Sequence, residues 1–213
     1  MGAEIEAWIV ALAASPWLYL AVFALVVGDA FLVVLPSETV VVALAALAGA
    51  TGSPPLGLLI PVAALGAVVG DSLCYLIGRR VGSDRWGWQR RGRVGAALAR
   101  ARKTVLTRPA VLIFTARYIP FARIAVNVSA GAAGLPYGRY LPLSVAAGIG
   151  WALYNTGIGV LFGAALRDQP VLAIVISVLV AITLGVLADL IASRIAAQRA
   201  ERTPEPHVDS GVG

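Results

Sequence analysis

Long apolar runs constrain the fold of this sequence more than any other feature. Residues 54–78, 140–166 and 170–193 are each apolar over the roughly 20 positions that a helix needs to cross about 30 Å of hydrocarbon. Residues 8–28 form a further run, in which Pro16 is expected to separate a short leading piece from the rest. Hydrocarbon offers no partners to backbone polar groups, so spanning segments of this kind are helical. The sequence therefore predicts an all-α, polytopic membrane protein.

Composition indicates one membrane domain followed by a polar tail. Only 13% of the 213 residues are charged and the mean hydropathy is +0.85, whereas a soluble domain has about a quarter of its residues charged. No second block of polar, globular composition is present, so residues 1–193 are assigned to one domain. Residues 194–213 are predicted to form a disordered cytoplasmic tail, because they are polar and charged.

The net charge of +6 is concentrated in residues 79–108, where Asp84 is the one acid. The basic residues there are Arg79, Arg80, Arg85, Arg90, Arg91, Arg93, Arg100, Arg102, Lys103 and Arg108. Such a cluster can bind nucleic acid, but between membrane segments it typically marks the cytoplasmic side. We therefore expect no nucleic-acid partner and a multi-pass protein with both termini in the cytoplasm. Residues 50–54 and 167–169 are then expected to face outward.

The sequence has one cysteine, Cys74 in an apolar run, and one histidine, His207 in the polar tail. They provide neither a disulfide nor a zinc-ligand spacing, and we expect no metal and no other cofactor. Membrane enzymes that require a buried histidine are excluded on the same ground. The aspartate-rich signature of CDP-alcohol transferases is also absent, so the chain is not expected to be an enzyme.

Two segments interrupt the apolar pattern in similar ways. Residues 110–134 carry Arg117, Pro120 and Arg123 near their middle. A loop that dips into the membrane and returns would keep the basic segments on one side, whereas a full crossing would place the arginine-rich tail outside. The shared order of residues is Pro36, Gly49, Gly52, Pro54, Gly70 and Tyr75 in the first half, and Pro120, Gly131, Gly134, Pro136, Gly150 and Tyr154 in the second.

This similarity predicts an inverted repeat, in which each unit is a re-entrant loop followed by a transmembrane helix, with additional transmembrane helices outside the repeat. Non-helical backbone at membrane depth survives only where protein or a water-filled cavity bonds its polar groups. Paired, proline-interrupted segments in the two halves of a chain indicate a midplane binding site in transporters. The alternative is a chance similarity between stretches rich in alanine and glycine.

Five ionisable side chains lie inside apolar sequence: Asp29, Glu38, Asp71, Arg117 and Arg123. An unpaired charge at the bilayer centre costs about 2.5–3.5 kcal/mol. Together the five would cost more than about 10 kcal/mol, which is comparable to the whole stability of a domain. They must therefore face each other, water or a ligand. Static ion pairs that only stabilise the fold are the alternative to a functional site.

Three sequence elements resemble those of the DedA family. Leu35–Glu38 is similar to its proline-serine-glutamate element, with Asp29 upstream where the family more often has glutamate. Gly70–Arg79 resembles its G-D-x-x-x-Y-x-x-G-R element, and Phe114–Arg123 resembles its F-x-x-R-[FY]-x-P-x-x-R element. The elements occur in the family's order, and the resemblance spans residues 20–165.

The resemblance implies a bacterial inner-membrane protein with two re-entrant loops that transports or flips a lipid phosphate. It suggests undecaprenyl phosphate or phosphatidylethanolamine as the substrate and the proton gradient as the coupled force. By motif position, the family's essential charges correspond to Asp29, Glu38, Arg117 and Arg123. Membrane lipids are thus the expected partners, and a homo-oligomer is compatible with the sequence. A non-transporting scaffold or assembly factor with structurally paired charges is the alternative function.

The chemistry of arginine agrees with a phosphate substrate. Its planar fork binds phosphate oxygens bidentately and stays charged when desolvated. Arg117 and Arg123, with Tyr118 and Pro120 between them, are therefore the predicted substrate-binding residues.

Asp29, Glu38 and Asp71 form the predicted proton-coupling group. Three acids face two arginines, so one acid lacks a fixed cation and should take up a proton in a dry site. Glu38 is the candidate, because it follows Pro36 at a broken loop tip that is expected to open outward.

Supporting residues are predicted around these charges: Pro36, Gly70, Tyr75, Gly78 and Arg79. Asp71, Tyr75 and Gly78 are spaced i, i+4 and i+7, so they share one helix face that should point at the loops. Gly66 and Gly70 should let a neighbouring backbone come close. Arg79, at a helix end, is either functional or an anchor at the membrane interface.

Overall fold

The computed structural model describes residues 15–32, 36–82, 102–117 and 120–165, together with residue 172, residues 174–180 and residue 183. This part of the chain forms helices and turns and contains no strand, which confirms the all-α prediction for it. The predictions for residues 1–14, 83–101, 167–169 and 194–213 concern positions outside the described residues.

Six helices have both ends within the described residues: α1 (Pro16–Asp29), α2 (Ser37–Thr51), α3 (Leu56–Val81), α4 (Pro109–Ala116), α5 (Pro120–Ala132) and α6 (Tyr137–Ala165). Residues 102–107 and 174–180 are also helical. α3 has 26 residues and α6 has 29, and both are long and apolar enough to cross a bilayer. They confirm the helices predicted at residues 54–78 and 140–166.

Proline and glycine determine where the shorter helices begin and end. α1, α4 and α5 each begin with a proline, whose fixed φ suits the first turn and whose missing N–H is not needed there. α2 is followed by Gly52 and α5, two residues on, by Gly134, with φ of +82° and +77°. Glycine adopts such values without steric cost. The first described helix therefore begins at Pro16, where the sequence predicts a break.

Two of the shorter helices, α2 and α5, each pack against the long helix of the other half of the chain. α2 lies along α6 and α5 lies along α3, and these are the two largest interfaces between the described helices. α1 packs on α3, where Gly66 faces Val26 and Gly70 faces Ala30. α1 and α3 therefore come close at these two glycines, as the spacing of the glycines predicts.

The two crossings are built from equivalent glycine contacts. A Cβ at Gly159 on α6 would overlap the Val42 carbonyl oxygen on α2. At four further positions, which are equivalent between the two crossings, a Cβ would likewise overlap the backbone of the opposing helix, so only glycine lets the helices lie this close. The contacts are Gly49 with Val160 and Gly163 with Ala46 between α2 and α6, and Gly131 with Tyr75 and Gly78 with Val128 between α5 and α3. Equivalent short-helix residues are 82 positions apart and equivalent long-helix residues 85 apart. The counterpart of Tyr75 is thus Val160, whereas the sequence pattern pairs it with Tyr154.

We expect Gly163→Ala and Gly78→Ala to lower the midpoint of thermal unfolding in detergent by similar amounts. Each adds a methyl group where a backbone carbonyl already lies, and overpacking of this kind costs about 1–3 kcal/mol. Gly157→Ala on α6 and Gly57→Ala on α3 are matched controls, because nothing lies within 4 Å of a Cβ at either position. Controls that destabilise as strongly as the two crossing variants would contradict this account of the packing.

Candidate functional site

A buried aspartate on α3 is the centre of a charged cluster. Asp71 is 1% exposed, and its carboxylate accepts hydrogen bonds from Arg117 Nη1 at 2.5 Å and Asn127 Nδ2 at 2.9 Å. Ser144 Oγ on α6 donates to the same carboxylate at 3.4 Å. A buried carboxylate is costly unless it is paired and hydrogen-bonded. The partners come from the end of α4, from α5 and from α6, so the cluster joins both halves of the chain.

A second ion pair lies at the end of α1. Arg123 Nη2 donates to the Asp29 carboxylate at 3.1 Å and to the Asp29 carbonyl oxygen at 2.7 Å. Ser37 Oγ donates to the same carboxylate at 2.8 Å. Ser37 and Arg123 lie in the first turns of α2 and α5, so the amino-terminal ends of both short helices meet at Asp29. Helix amino termini carry partial positive charge and attract anions.

The two ion pairs form one cluster that retains unused donors. Arg123 Nε lies 4.0 Å from Asp71 Oδ1, which brings the pairs together. Arg117 Nε, Arg117 Nη2 and Arg123 Nε are buried and have no hydrogen-bond partner among the described residues. Each buried donor left unsatisfied costs about 1–3 kcal/mol. Two neighbouring arginines therefore offer three nitrogen atoms that make no hydrogen bond within the described part of the chain, which suits an anion with several oxygen atoms.

Glu38 is the acid that the cluster leaves without a cation. Asp29 and Asp71 pair with arginines, whereas within the described ranges no lysine or arginine forms an ion pair with Glu38. Its side chain is exposed and accepts a hydrogen bond from Trp151 Nε1 at 3.2 Å. Trp151 is buried on α6, and its ring centre lies 5.9 Å from the guanidinium carbon of Arg117. Glu38 is thus an acid without an ion pair among the described residues, and its position at an outward-opening loop tip and its protonation stay predictions.

Tyr140 on α6 contacts the main chain of Asp71. The Tyr140 hydroxyl lies 2.9 Å from the Asp71 carbonyl oxygen and 3.0 Å from Asn127 Oδ1. Its single hydrogen has two acceptors within reach. The ring of Tyr140 stacks on that of Tyr75, with the centroids 4.4 Å apart. α3, α5 and α6 are therefore held together around the buried carboxylate.

The predicted face of α3 is buried, since Asp71, Tyr75 and Gly78 all lie inside the fold. The Tyr75 hydroxyl donates to the carbonyl oxygen of Leu135 at 2.5 Å and accepts from Arg79 Nη1 at 3.0 Å. Arg79 therefore has a partner within the protein in addition to its place at the end of α3.

Two of the three predicted site residues at the helix breaks lie within the described part of the chain. Pro36 immediately precedes α2, and Pro120 is the first residue of α5. Tyr118 lies outside the described residues. Within the residues that are described, no group of three or more histidine, cysteine, aspartate or glutamate side chains could hold a metal ion.

Comparison with known families identifies the domain that contains this cluster apart from Asp29, which precedes the matched residues. The sequence model of the VTT domain matches residues 35–161, which include Glu38, Asp71, Arg117 and Arg123. The chain belongs to the VTT domain family. The match confirms the resemblance to the DedA family.

Relatives of this VTT domain protein are membrane proteins. An uncharacterized membrane protein of Mycobacterium tuberculosis is 35% identical over 79% of this chain and 82% of its own length. The inner membrane protein YohD of Escherichia coli is 32% identical over 45% of this chain and 49% of its own. An uncharacterized membrane protein of Synechocystis is 27% identical over 65% of this chain and 64% of its own. The chain is accordingly a membrane protein. No solved structure matches it.

Several side chains on which the cluster depends were not among the residues predicted from the sequence: Asn127, Tyr140, Ser144 and Trp151. Asn127 follows Arg123 by four positions, so the two share a face of α5, and this spacing is a signal that sequence reasoning could have used. Trp151 carries no such signal, because a large apolar ring in an apolar helix is ordinarily part of the core.

Proposed function

We propose that this protein is a non-enzymatic transporter that moves a lipid phosphate across the bacterial inner membrane. The observation that carries the proposal is a group of three buried nitrogen atoms on Arg117 and Arg123 that make no hydrogen bond to any described residue. Arginine binds phosphate through parallel N–H···O bonds, and one phosphate has enough oxygen atoms to accept from all three. Undecaprenyl phosphate and phosphatidylethanolamine, the substrates that the DedA resemblance implies, both contain such a group.

The surroundings of the arginines favour an added anion. The amino termini of α2 and α5 meet at Asp29, and transporters commonly direct the amino termini of broken helices at anionic groups near the membrane midplane. The pair with Asp71 uses one nitrogen of Arg117. A phosphate can therefore bind the remaining two nitrogen atoms without breaking that pair.

The proposal includes an inverted repeat of a re-entrant loop and a transmembrane helix. The equivalent glycine contacts support it, because they relate α2 and α3 of the first half to α5 and α6 of the second. The helix breaks at Pro36 and Pro120 would then be the two loop tips. Placing residues 79–108 and both termini in the cytoplasm follows the positive-inside rule and opens one unit to each side.

Glu38 carries the coupled proton in this proposal. It is the acid of the described cluster whose charge can change without breaking an ion pair. A phosphate entering beside Asp29 and Asp71 adds negative charge to a site of low dielectric, and a proton taken up at Glu38 offsets it. The proton and the lipid would thus move together.

Lipid flipping by the purified protein in vesicles, with and without a pH gradient, tests this function. We expect the wild type to flip undecaprenyl phosphate or phosphatidylethanolamine, and to do so faster with the gradient. Glu38→Gln resembles the protonated acid, so it should retain lipid binding and lose the dependence on the gradient. Glu201→Gln in the polar tail is the control.

Two outcomes would count against the proposal in different ways. Full gradient-driven flipping by Glu38→Gln would mean that the proton is carried elsewhere or not at all. The absence of flipping with either lipid would favour the scaffold alternative, in which the ion pairs only stabilise the fold.

A further inference from the structure

The indole ring of Trp151 contacts both Glu38 and Arg117. The proposed function assigns proton uptake to the first and phosphate binding to the second. Trp151 Nε1 donates to Glu38 Oε1 at 3.2 Å, and the ring centre lies 5.9 Å from the guanidinium carbon of Arg117. Trp151 is 2% exposed and belongs to a core cluster with residues of α1, α2 and α3, among them Val26, Val41 and Leu59. The ring is therefore fixed in place between the two charged groups.

We propose that Trp151 is a positioning residue that couples proton uptake at Glu38 to anion binding at Arg117. The inference rests on the proposed function, because it takes Glu38 as the proton carrier and Arg117 as part of the phosphate site. It adds a physical connection between them, which neither ion pair provides because Glu38 belongs to neither.

Both contacts of the ring depend on the charge of Glu38. A hydrogen bond to an ionised carboxylate is roughly twice as strong as a neutral one, so proton uptake at Glu38 weakens the bond from Trp151. A carboxylate at Nε1 also increases the electron density of the indole ring, which strengthens its attraction for a cation over its face. Loss of the negative charge therefore loosens Arg117 from the ring and makes it available to a phosphate.

The same coupling operates in reverse, as linkage requires. A phosphate bound to Arg117 neutralises the cation that the ring attracts, and Glu38 loses the influence of a nearby positive charge. Its ionised form is then less favoured. The proton and the phosphate thus promote each other's binding, which is the sign that co-transport needs.

The other ionisable groups on the helices packed against α2 are already engaged. Asp29 and Asp71 are in ion pairs, the hydroxyls of Tyr75, Tyr137 and Tyr140 are hydrogen-bonded, Cys74 donates to the Ala30 carbonyl oxygen, and Tyr154 has a partner. Tyr19 on α1 follows Leu18, which packs against the core cluster of Trp151, so Tyr19→Phe is the control for any contribution from its hydroxyl. A pH response of Trp151 is therefore expected to come from Glu38.

A single-tryptophan protein makes Trp151 its own reporter. Phenylalanine at Trp8, Trp17, Trp86 and Trp88 leaves one indole, whose fluorescence emission is recorded against pH in detergent micelles. We expect one titration, which disappears in Glu38→Gln. Octyl phosphate should shift its midpoint to higher pH by about one unit, the size of an ordinary coupling between two sites.

Three results would overturn the coupling: emission that does not change with pH, a titration that persists in Glu38→Gln, and a midpoint that octyl phosphate does not move. These results are separable from failure of the proposed function. If no lipid phosphate is flipped while the titration and its shift remain, the function is wrong and the coupling stands. If gradient-driven flipping occurs but the emission shows no titration, the function stands and the coupling is wrong.

Transport by Trp151→Phe gives a second, independent measurement. Phenylalanine keeps an aromatic ring and removes the N–H that Glu38 accepts. In Trp151→Phe the flipping rate with a pH gradient should equal the rate without one, so that their ratio falls to about one as in Glu38→Gln. This comparison does not depend on the rate without the gradient. Trp17→Phe is the control, since Trp17 is 74% exposed. A wild-type ratio in Trp151→Phe would refute the coupling.

Discussion

Asp71→Asn is expected to lower the midpoint of thermal unfolding in detergent by about 10 °C. The change removes the negative charge 2.5 Å from Arg117 and leaves a buried cation without its counter-ion. Removing one partner of a buried pair costs about 3–5 kcal/mol, and each kcal/mol moves the midpoint of a protein of this size by about 2–4 °C. Asparagine has almost the volume of aspartate, so the effect reports charge rather than packing.

A double variant separates the charge from other effects at Asp71. Arg117→Gln combined with Asp71→Asn removes both charges and should recover part of the lost stability. Ser144→Ala is the matched control, because it removes only a 3.4 Å hydrogen bond to the same carboxylate and should have a small effect. A midpoint that Asp71→Asn leaves unchanged would show that the buried pair does not stabilise the fold.

Arg123→Lys should leave the protein folded and inserted but reduce lipid phosphate flipping about tenfold or more. Lysine keeps the positive charge that faces Asp29 at 3.1 Å, so that ion pair can persist. It lacks Nε, one of the three unpartnered nitrogen atoms, and presents a point charge in place of a planar fork. A hydrogen bond to a charged group contributes about 1.5–3 kcal/mol, which is the source of the expected loss.

The measurement is the flipping rate in vesicles, normalised to inserted protein, together with thermal unfolding of the same preparation. Arg139→Lys is the matched control, because Arg139 is exposed at the start of α6 and outside the cluster. Flipping at the wild-type rate by Arg123→Lys would mean that the residue contributes charge alone, and the proposed phosphate grip would fail.

Local sequence patterns could predict the long helices but not how the helices cross. α3 and α6 could be predicted from the length of their apolar runs, because a helix needs about 20 consecutive apolar residues to cross a bilayer. The crossings depend on contacts between residues far apart in the chain: Gly49 and Val160 are 111 positions apart, and Gly131 and Tyr75 are 56 apart. Nothing in a local pattern states which long helix a given glycine will face.

The members of the charged cluster were similarly easier to predict than their pairing. A charge in apolar sequence is costly, so each one indicates a partner or a site. Any of the three acids could have satisfied either arginine, and only the fold brings Asp71 to Arg117 and Asp29 to Arg123. Trp151 was missed because burial of an indole in an apolar helix is favourable whether or not its N–H has a special partner.

The glycine contacts also determine which parts of the molecule can move separately. Where two backbones touch without side chains between them, neither helix can slide or rotate without overlap. α2 with α6 and α5 with α3 therefore each form one close-packed pair, and each pair takes one helix from either half of the chain. In the transport function proposed above, the site would then be exposed to alternate sides of the membrane by tilting these mixed pairs against each other rather than one half of the chain against the other. Two carboxylates link these pairs: Asp29 accepts hydrogen bonds from Ser37 of the first and Arg123 of the second, and Asp71 of the second accepts one from Ser144 of the first. A tilt of one pair against the other therefore has to change the hydrogen bonds of both carboxylates.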